Sequence, residues 1–246
     1  MDGIIYTAMN GAKQTMLRQA SNNHNLANMN TTGFRADLDA FEAQPMYGPG
    51  QPTRVYLQNN RAGIDFSSGQ LMTTGNSLDV AINGSGFIAI QDKDGNESLT
   101  RRGDLHLSAS GLLETGAGNP VMGNGGPISI PPNQKLEIGK DGTISIQPLG
   151  QSSTTLAVID RIKLVNPPTE TLQKTESGLL RTADGEPAIA DASVKLEPGT
   201  LETSNVNSMD ALVNMIELAR QFEMNINILK EQKEIDQAAS AIIRLA

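Results

Sequence analysis

Cysteine and tryptophan are absent, and only five Phe and three Tyr occur in 246 residues. Without cysteine there is no disulfide, no thiolate metal site and no cysteine nucleophile. So few aromatics leave the core to Ile, Leu, Val, Met and Ala, which suits long helices and thin β layers better than one thick core. Histidine is limited to His24 and His106. Neither has a second ligand at metal spacing, and both read as surface polar residues. Basic clusters are also missing: 19 Lys and Arg stand against 27 Asp and Glu, a net charge of −8, and the longest basic run is the pair Arg101–Arg102. Nucleic acid needs a Lys/Arg patch to neutralise phosphates, and anionic lipid needs a polybasic stretch, so neither is an expected partner. No apolar run reaches the roughly 18 residues that mark a bilayer span, so no membrane insertion is expected. The opening Met1-Asp2-Gly3-Ile4-Ile5 has no basic stretch followed by an apolar one, so no Sec signal is expected either. Composition by itself would then place the chain in the cytoplasm.

Signals for chemistry are equally thin. Asp92-Lys93-Asp94-Gly95-Asn96-Glu97 has its Gly fourth and Gly103 at position twelve, against the sixth-position Gly and twelfth-position Glu of an EF-hand loop; it reads as a β-turn. Gly84-Ser85-Gly86 lacks the outer glycine of a nucleophile elbow. Gly123-Asn124-Gly125-Gly126 lacks the Lys-Ser/Thr of a P-loop. Arg102-Gly103-Asp104 reads as a tight turn. No catalytic, metal or cofactor residue is assigned, and the chain is not expected to be an enzyme.

What is present is a helix, a β-rich middle and a second helix. Over residues 4–28, Ile5, Ala8, Ala12, Met16, Ala20, Asn23 and Ala27 recur at steps of three and four and share one narrow helical face. Asn10, Asn22, Asn23, His24, Asn25 and Asn28 are poor helix formers, so this helix needs a partner surface. Residues 37–76 read as an extended connector, interrupted by Pro45, Gly48, Pro49, Gly50 and Pro52, with a short strand expected at Val55-Tyr56-Leu57.

The middle, residues 77–205, alternates with period two in Leu78-Asp79-Val80-Ala81-Ile82, Leu105-His106-Leu107, Ile128-Ser129-Ile130, Leu136-Glu137-Ile138 and Ile144-Ser145-Ile146, the pattern of half-buried strands. Longer strands are expected over 155–165 and 178–182. Asp94-Gly95, Ser110-Gly111, Asp141-Gly142 and Asp184-Gly185 supply turns. A meandering antiparallel domain is expected. From Met209, Leu212, Met215, Ala219, Phe222, Ile226 and Leu229 form a heptad seam, with Ile216 beside it, and Asn207 with Asp210 supplies an N-cap. The expected fold is therefore α+β: a mainly β central domain flanked by long terminal helices that pair in a coiled-coil-like bundle. Its parts are 1–36, 37–76, 77–205 and 206–246.

At least four ordered motifs carry a family resemblance. Asn25-Leu26-Ala27-Asn28-Met29-Asn30-Thr31-Thr32-Gly33-Phe34-Arg35 resembles the N-terminal signature of flagellar rod and hook axial proteins. Leu78–Phe87 resembles their LDVAI-x-G-x-GF segment, and Thr100-Arg101-Arg102-Gly103 follows in the family's order. Gly199-Thr200-Leu201-Glu202-Thr203-Ser204-Asn205-Val206 resembles the entry to their last helix, and Met215-Ile216 with Arg220-Gln221-Phe222-Glu223 resembles that helix. Met1-Asp2 with Ile5-Tyr6-Thr7-Ala8-Met9 looks most like a proximal rod subunit; a distal rod subunit, or a secreted carbohydrate-binding or adhesive β protein, stand as alternatives.

The resemblance implies a structural rod subunit that carries torque. It would be exported by the flagellar type III apparatus without a cleaved signal, to a periplasmic address. Partners would be proximal and distal rod subunits, copies of itself and the export apparatus. The signature and assembly residues would be Asn25, Leu26, Ala27, Asn28, Thr31, Gly33, Phe34, Arg35, Ser204, Asn205 and Val206. The helical interface would use Ile5, Ala8, Ala12, Met16, Leu212, Met215, Ile216, Ala219, Phe222, Ile226 and Leu229.

Overall fold

The fold is taken from a computed structural model that describes residues 2–45, 55–148, 156–175 and 177–245. Its elements are α1 (Asp2–Ala27), β1 (Asp37–Pro45), β2 (Val55–Ile64), β3 (Leu71–Thr73), β4 (Val80–Asn83), β5 (Phe87–Gln91), β6 (Glu97–Thr100), β7 (Leu105–Leu107), β8 (Leu113–Thr115), β9 (Asn133–Ile138), β10 (Thr143–Pro148), β11 (Ala157–Arg161), β12 (Leu164–Val165), β13 (Leu172–Lys174), β14 (Leu180–Thr182), β15 (Lys195–Pro198), β16 (Thr200–Glu202) and α2 (Ser208–Leu245). They form two compact units. The helical unit holds Met1–Met29, Ala36–Asp65 and Val206–Ala246; the β unit holds Asn30–Arg35 and Phe66–Asn205.

In the helical unit, α1 packs on α2 and on the antiparallel β1–β2 ribbon. The ribbon pairs Asp37 with Ile64 and Pro45 with Val55, with a bulge between Leu38 and Ala40. It occupies much of the segment read as an extended connector. The expected coiled-coil-like bundle is corrected here. One helix stands at each end of the chain, and the pair's second neighbour is a β ribbon. The covered face follows the expected residues only in part: Ala8 and Ala12 are buried and Ile5, Met215, Ala219, Phe222, Ile226 and Leu229 half-buried. On α1 the buried residues are Ala8, Ala12, Gln14 and Thr15, whereas Met16 is 59% exposed and Ala20, Asn23 and Ala27 are exposed. On α2 the buried residues are Ala211, Leu218 and Gln232, whereas Leu212 is exposed. Small and polar groups are thus buried beside large apolar ones such as Leu218. Thr15 Oγ1 donates to Gly11 O at 2.8 Å, which removes the cost of burying its hydroxyl. Gly11 lies against the Asn225 side chain, where a Cβ would come within 3.1 Å.

The β unit contains a five-stranded sheet in the order β12-β5-β6-β14-β13 and a three-stranded sheet β11-β10-β9, with the two-stranded pairs β15-β4, β16-β3 and β7-β8. All of these pairings are antiparallel. Only the three-stranded sheet is a plain meander; the larger sheet joins strands far apart in the chain. Its core includes Val80, Ile88, Ile90, Leu113, Val121, Ile128, Ile144, Ile162 and Leu196. Alternation holds in β10, where Ile144 and Ile146 are buried and the residues between and beside them are not. It fails in β4, where Val80, Ala81 and Ile82 are all buried. Burial of three successive residues means that both faces of β4 are covered; in the sheet plane it pairs with β15, and Val80 N donates to Gly103 O at 2.9 Å. Ile128 and Ile130 are buried but belong to no named strand; the isolated bridges are at their neighbours Pro127 and Ser129. Among the described residues no helix is long and apolar enough to cross a membrane.

Candidate functional site

The Asn-rich half of the signature lies in the helical unit. Asn25 spans the start of β1 with its amide: Nδ2 donates to Asp37 O at 2.9 Å, and Asp37 N donates to Asn25 Oδ1 at 2.8 Å. His24 Nδ1 lies 2.7 Å from Asp37 Oδ2. Asn28 Nδ2 donates to the His24 carbonyl at 2.9 Å, which satisfies an acceptor that the helix end leaves open. Asn22 Nδ2 donates to Ala211 O, near the start of α2, at 2.8 Å. The asparagines that weaken α1 as an isolated helix are therefore the groups that tie it to β1 and α2. Leu26 is half-buried and Ala27 exposed.

The second half of the signature, Asn30–Arg35, belongs to the β unit. Thr32 Oγ1 donates to Asp104 Oδ1 at 3.2 Å. Gly33 N donates to Glu202 O at 2.8 Å. Gly33 has φ +65, and a Cβ there would meet the Arg101 carbonyl carbon at 2.3 Å, so both conformation and space require glycine. The Lys174 ammonium stands 4.5 Å from the Phe34 ring centroid. Asn205 N donates to Phe34 O at 3.4 Å, and Asn205 Nδ2 donates to Ser67 O at 3.1 Å. Thr31 and Val206 are half-buried and Ser204 is buried.

Below this loop lies a buried ionic cluster. Arg35 Nη2 donates to Glu202 Oε1 at 2.6 Å, and Arg101 Nη1 donates to Glu202 Oε2 at 3.0 Å. Gly69 N adds a third donor to Oε1 at 2.9 Å. Arg101 Nη2 donates to Gly84 O, and its guanidinium lies 5.5 Å from the Phe87 centroid, with Phe66 edge-on to Phe87 at 6.3 Å. Arg35, Arg101 and Glu202 are 4%, 6% and 2% exposed. Burial pushes the Arg101 guanidinium below its ordinary range; Glu202 opposes that shift and Arg35 adds to it. Two cations around one carboxylate make a buried charge of +1.

The sequence motifs thus meet at one place. Arg35 comes from the first motif, Gly84 from the second, Arg101 from the third and Glu202 from the fourth. Glu202 and Arg101 stood within quoted motifs, but periodicity gave no reason to single them out. Chemically the cluster is a fastener. Glu202 accepts from three donors, none of the residues is a nucleophile beside a base, and no group of three metal-binding side chains occurs among the described residues.

The helical interface residues are split. Ile5, Met215, Ala219, Phe222, Ile226 and Leu229 are half-buried and Ala8 and Ala12 are buried, whereas Met16, Leu212 and Ile216 are exposed. Together with Val213 the last two form an apolar patch on the side of α2 turned away from Ala211 and Leu218, whereas exposed Met224 and Ile228 line a groove with Gly11, Gln14, Thr15 and Arg18 of α1.

Comparison with known proteins agrees with the order of the motifs. The family described as flagellar hook protein FlgE/F/G D1 domain matches residues 81–146, and the one described as flagellar basal body rod FlgEFG protein C-terminal matches residues 197–242. The flagellar basal-body rod protein FlgF of Salmonella typhimurium is 38% identical over 100% of both chains. That of Escherichia coli is 39% identical over 93% of each. The flagellar basal-body rod protein FlgG of Buchnera aphidicola subsp. Schizaphis graminum is 32% identical over 94% of this chain and 95% of its own. The chain belongs to the flagellar basal-body rod protein family.

Proposed function

We propose that the chain is a FlgF-type structural subunit of the flagellar basal-body rod, working in the proximal part of the drive shaft that carries torque from motor to hook. It makes no covalent chemistry. The observation that carries this reading is the apolar patch of α2, Leu212, Val213 and Ile216, exposed while the opposite side of the helix is covered. A helix apolar on two sides needs a second partner. Each large apolar side chain buried against a neighbour contributes roughly 1.5–3 kcal/mol, so this patch, repeated in every subunit, makes a durable joint. Exposed Tyr6, Met9 and Leu17 give α1 a similar surface. The 38% and 39% identities to the FlgF relatives of Salmonella typhimurium and Escherichia coli, against 32% to the Buchnera aphidicola FlgG relative, favour the proximal reading. Export by the flagellar type III route to the periplasm, and neighbours among the other rod subunits and copies of itself, follow from this reading. The test is complementation of a source strain lacking the gene. The intact chain restores swimming and is recovered in isolated basal bodies. Swimming restored by a chain carrying Ile216→Asp and Val213→Asp would contradict the proposal.

A further inference from the structure

Gly123-Asn124-Gly125-Gly126 has no part in the ionic cluster or in the α2 patch, and forms a short loop of the β unit. Its ends are pinned: Met122 bridges Pro127, and Gly123 N donates to Gly126 O at 2.7 Å. Gly123 is buried, whereas Asn124 and Gly125 are exposed. A Cβ on Gly125 would meet nothing within 4 Å. Among the described residues neither the Asn124 side chain nor Gly125 N makes a hydrogen bond. Asn-Gly occurs at two other places in the chain, and both are held. Asn10 and Gly11 lie inside α1, where Asn10 Oδ1 accepts from Gln14 Nε2 at 3.3 Å and Asn225 closes the space beside Gly11. Asn83 ends β4 and pairs with Lys195 of β15, and the Gly84 carbonyl accepts from Arg101 Nη2.

We propose that Asn124 is a modification site, where the folded chain deamidates spontaneously while Asn10 and Asn83 are protected. The Gly125 amide nitrogen loses its proton to water and attacks Asn124 Cγ. The new C–N bond closes a succinimide ring, and the side-chain nitrogen of Asn124 leaves as ammonia. Water then opens the ring at either carbonyl, giving aspartate or isoaspartate. One water enters and one ammonia leaves, with no oxidant or reductant. The attack needs the nitrogen within about 3–3.5 Å of the carbon. An α-helix commits the following N–H to a carbonyl four residues back, and a paired strand keeps the backbone extended, so neither reaches that geometry. An exposed loop tip does, because glycine has the widest choice of backbone angles and no Cβ to block the approach. The product puts a new carboxylate on the loop, and isoaspartate also lengthens its backbone path. The inference concerns the chain itself and stands or falls apart from the rod reading.

The test incubates the purified full chain for weeks in neutral buffer, once folded and once in urea, and follows the three Asn-Gly sites by peptide mass spectrometry with fragmentation that distinguishes isoaspartate. In the folded chain Asn124 converts severalfold faster than Asn10 and Asn83, to a mixture of aspartate and isoaspartate. In urea the protection of Asn10 and Asn83 is lost, and all three convert. Gly125→Val fits the open space around Gly125, so the melting temperature of the β unit is unchanged while conversion of Asn124 slows severalfold. An Asn124 that stays intact in the folded chain while it converts in urea overturns the proposal. So do equal rates at all three sites of the folded chain, or undiminished conversion of Asn124 in the Gly125→Val chain.

Discussion

Arg35 reaches Glu202 across 167 positions of the chain and donates to it at 2.6 Å, with both side chains almost wholly buried. One carboxylate thus fixes the signature loop and, through Arg101, the third motif as well. Its removal leaves two guanidiniums facing each other without an anion. Glu202→Gln destabilises the β unit by roughly 3–5 kcal/mol, the range for breaking a buried ionic contact from one side. The triple replacement Arg35→Met, Arg101→Met and Glu202→Leu recovers most of that loss, because no buried charge remains. Urea unfolding of the three chains measures both values; a triple variant as unstable as Glu202→Gln contradicts the electrostatic account.

Gly33 and Gly75 separate conformation from space. Both have positive φ, but a Cβ at Gly75 meets nothing within 4 Å, whereas one at Gly33 strikes the Arg101 backbone. Gly75→Ala costs only the left-handed strain, about 1–2 kcal/mol. Gly33→Ala adds the clash and reaches about 2–5 kcal/mol, and Gly33→Val also stops rod assembly. Equal melting temperatures for the two alanine variants would show that the loop does not dock on Arg101.

Asn25→Ala removes both hydrogen bonds to the Asp37 backbone and costs the helical unit about 1–3 kcal/mol. Asn23→Ala, at an exposed position of the same helix, is neutral or slightly stabilising because alanine is the better helix former. Helical circular dichroism against temperature distinguishes them.

The two sides of α2 respond differently to charge. Leu218 is buried, so Leu218→Asp loosens the helix pair in the free chain. Leu212→Asp leaves the free chain folded and prevents its incorporation into the rod. Circular dichroism of the soluble protein and immunoblots of basal bodies read the two effects.

Much of the β unit was legible because turns announce themselves locally. Gly95, Gly111, Gly142 and Gly185, each in an expected turn, all have positive φ. Strand alternation was legible where one face meets solvent, as at Ile144 and Ile146, and misleading at Val80-Ala81-Ile82, which is covered on both sides. The buried phase of α1 was hidden because it runs through Gln14 and Thr15, polar residues whose hydrogen bonds to Asn10 and Gly11 make burial tolerable, while apolar Met16 faces outward. Of the ribbon only the start of β2, at Val55-Tyr56-Leu57, was legible; the rest was not, because the segment is punctuated by Pro45, Gly48, Pro49 and Pro52, and such residues read as connector. The ionic cluster was out of reach of any periodicity argument, since its members are 167 and 101 residues apart; only the family motifs held its residues together on one page.

The central claim is that the outward side of α2 is buried between subunits of the rod. It is tested by labelling a single Ile216→Cys with a maleimide in the soluble chain and in intact isolated basal bodies. Ile216 is 56% exposed in the free chain. The account predicts rapid labelling of the soluble protein and strong protection in basal bodies, with labelling restored once the rod is dissociated. Equal labelling in the soluble and assembled states would contradict it.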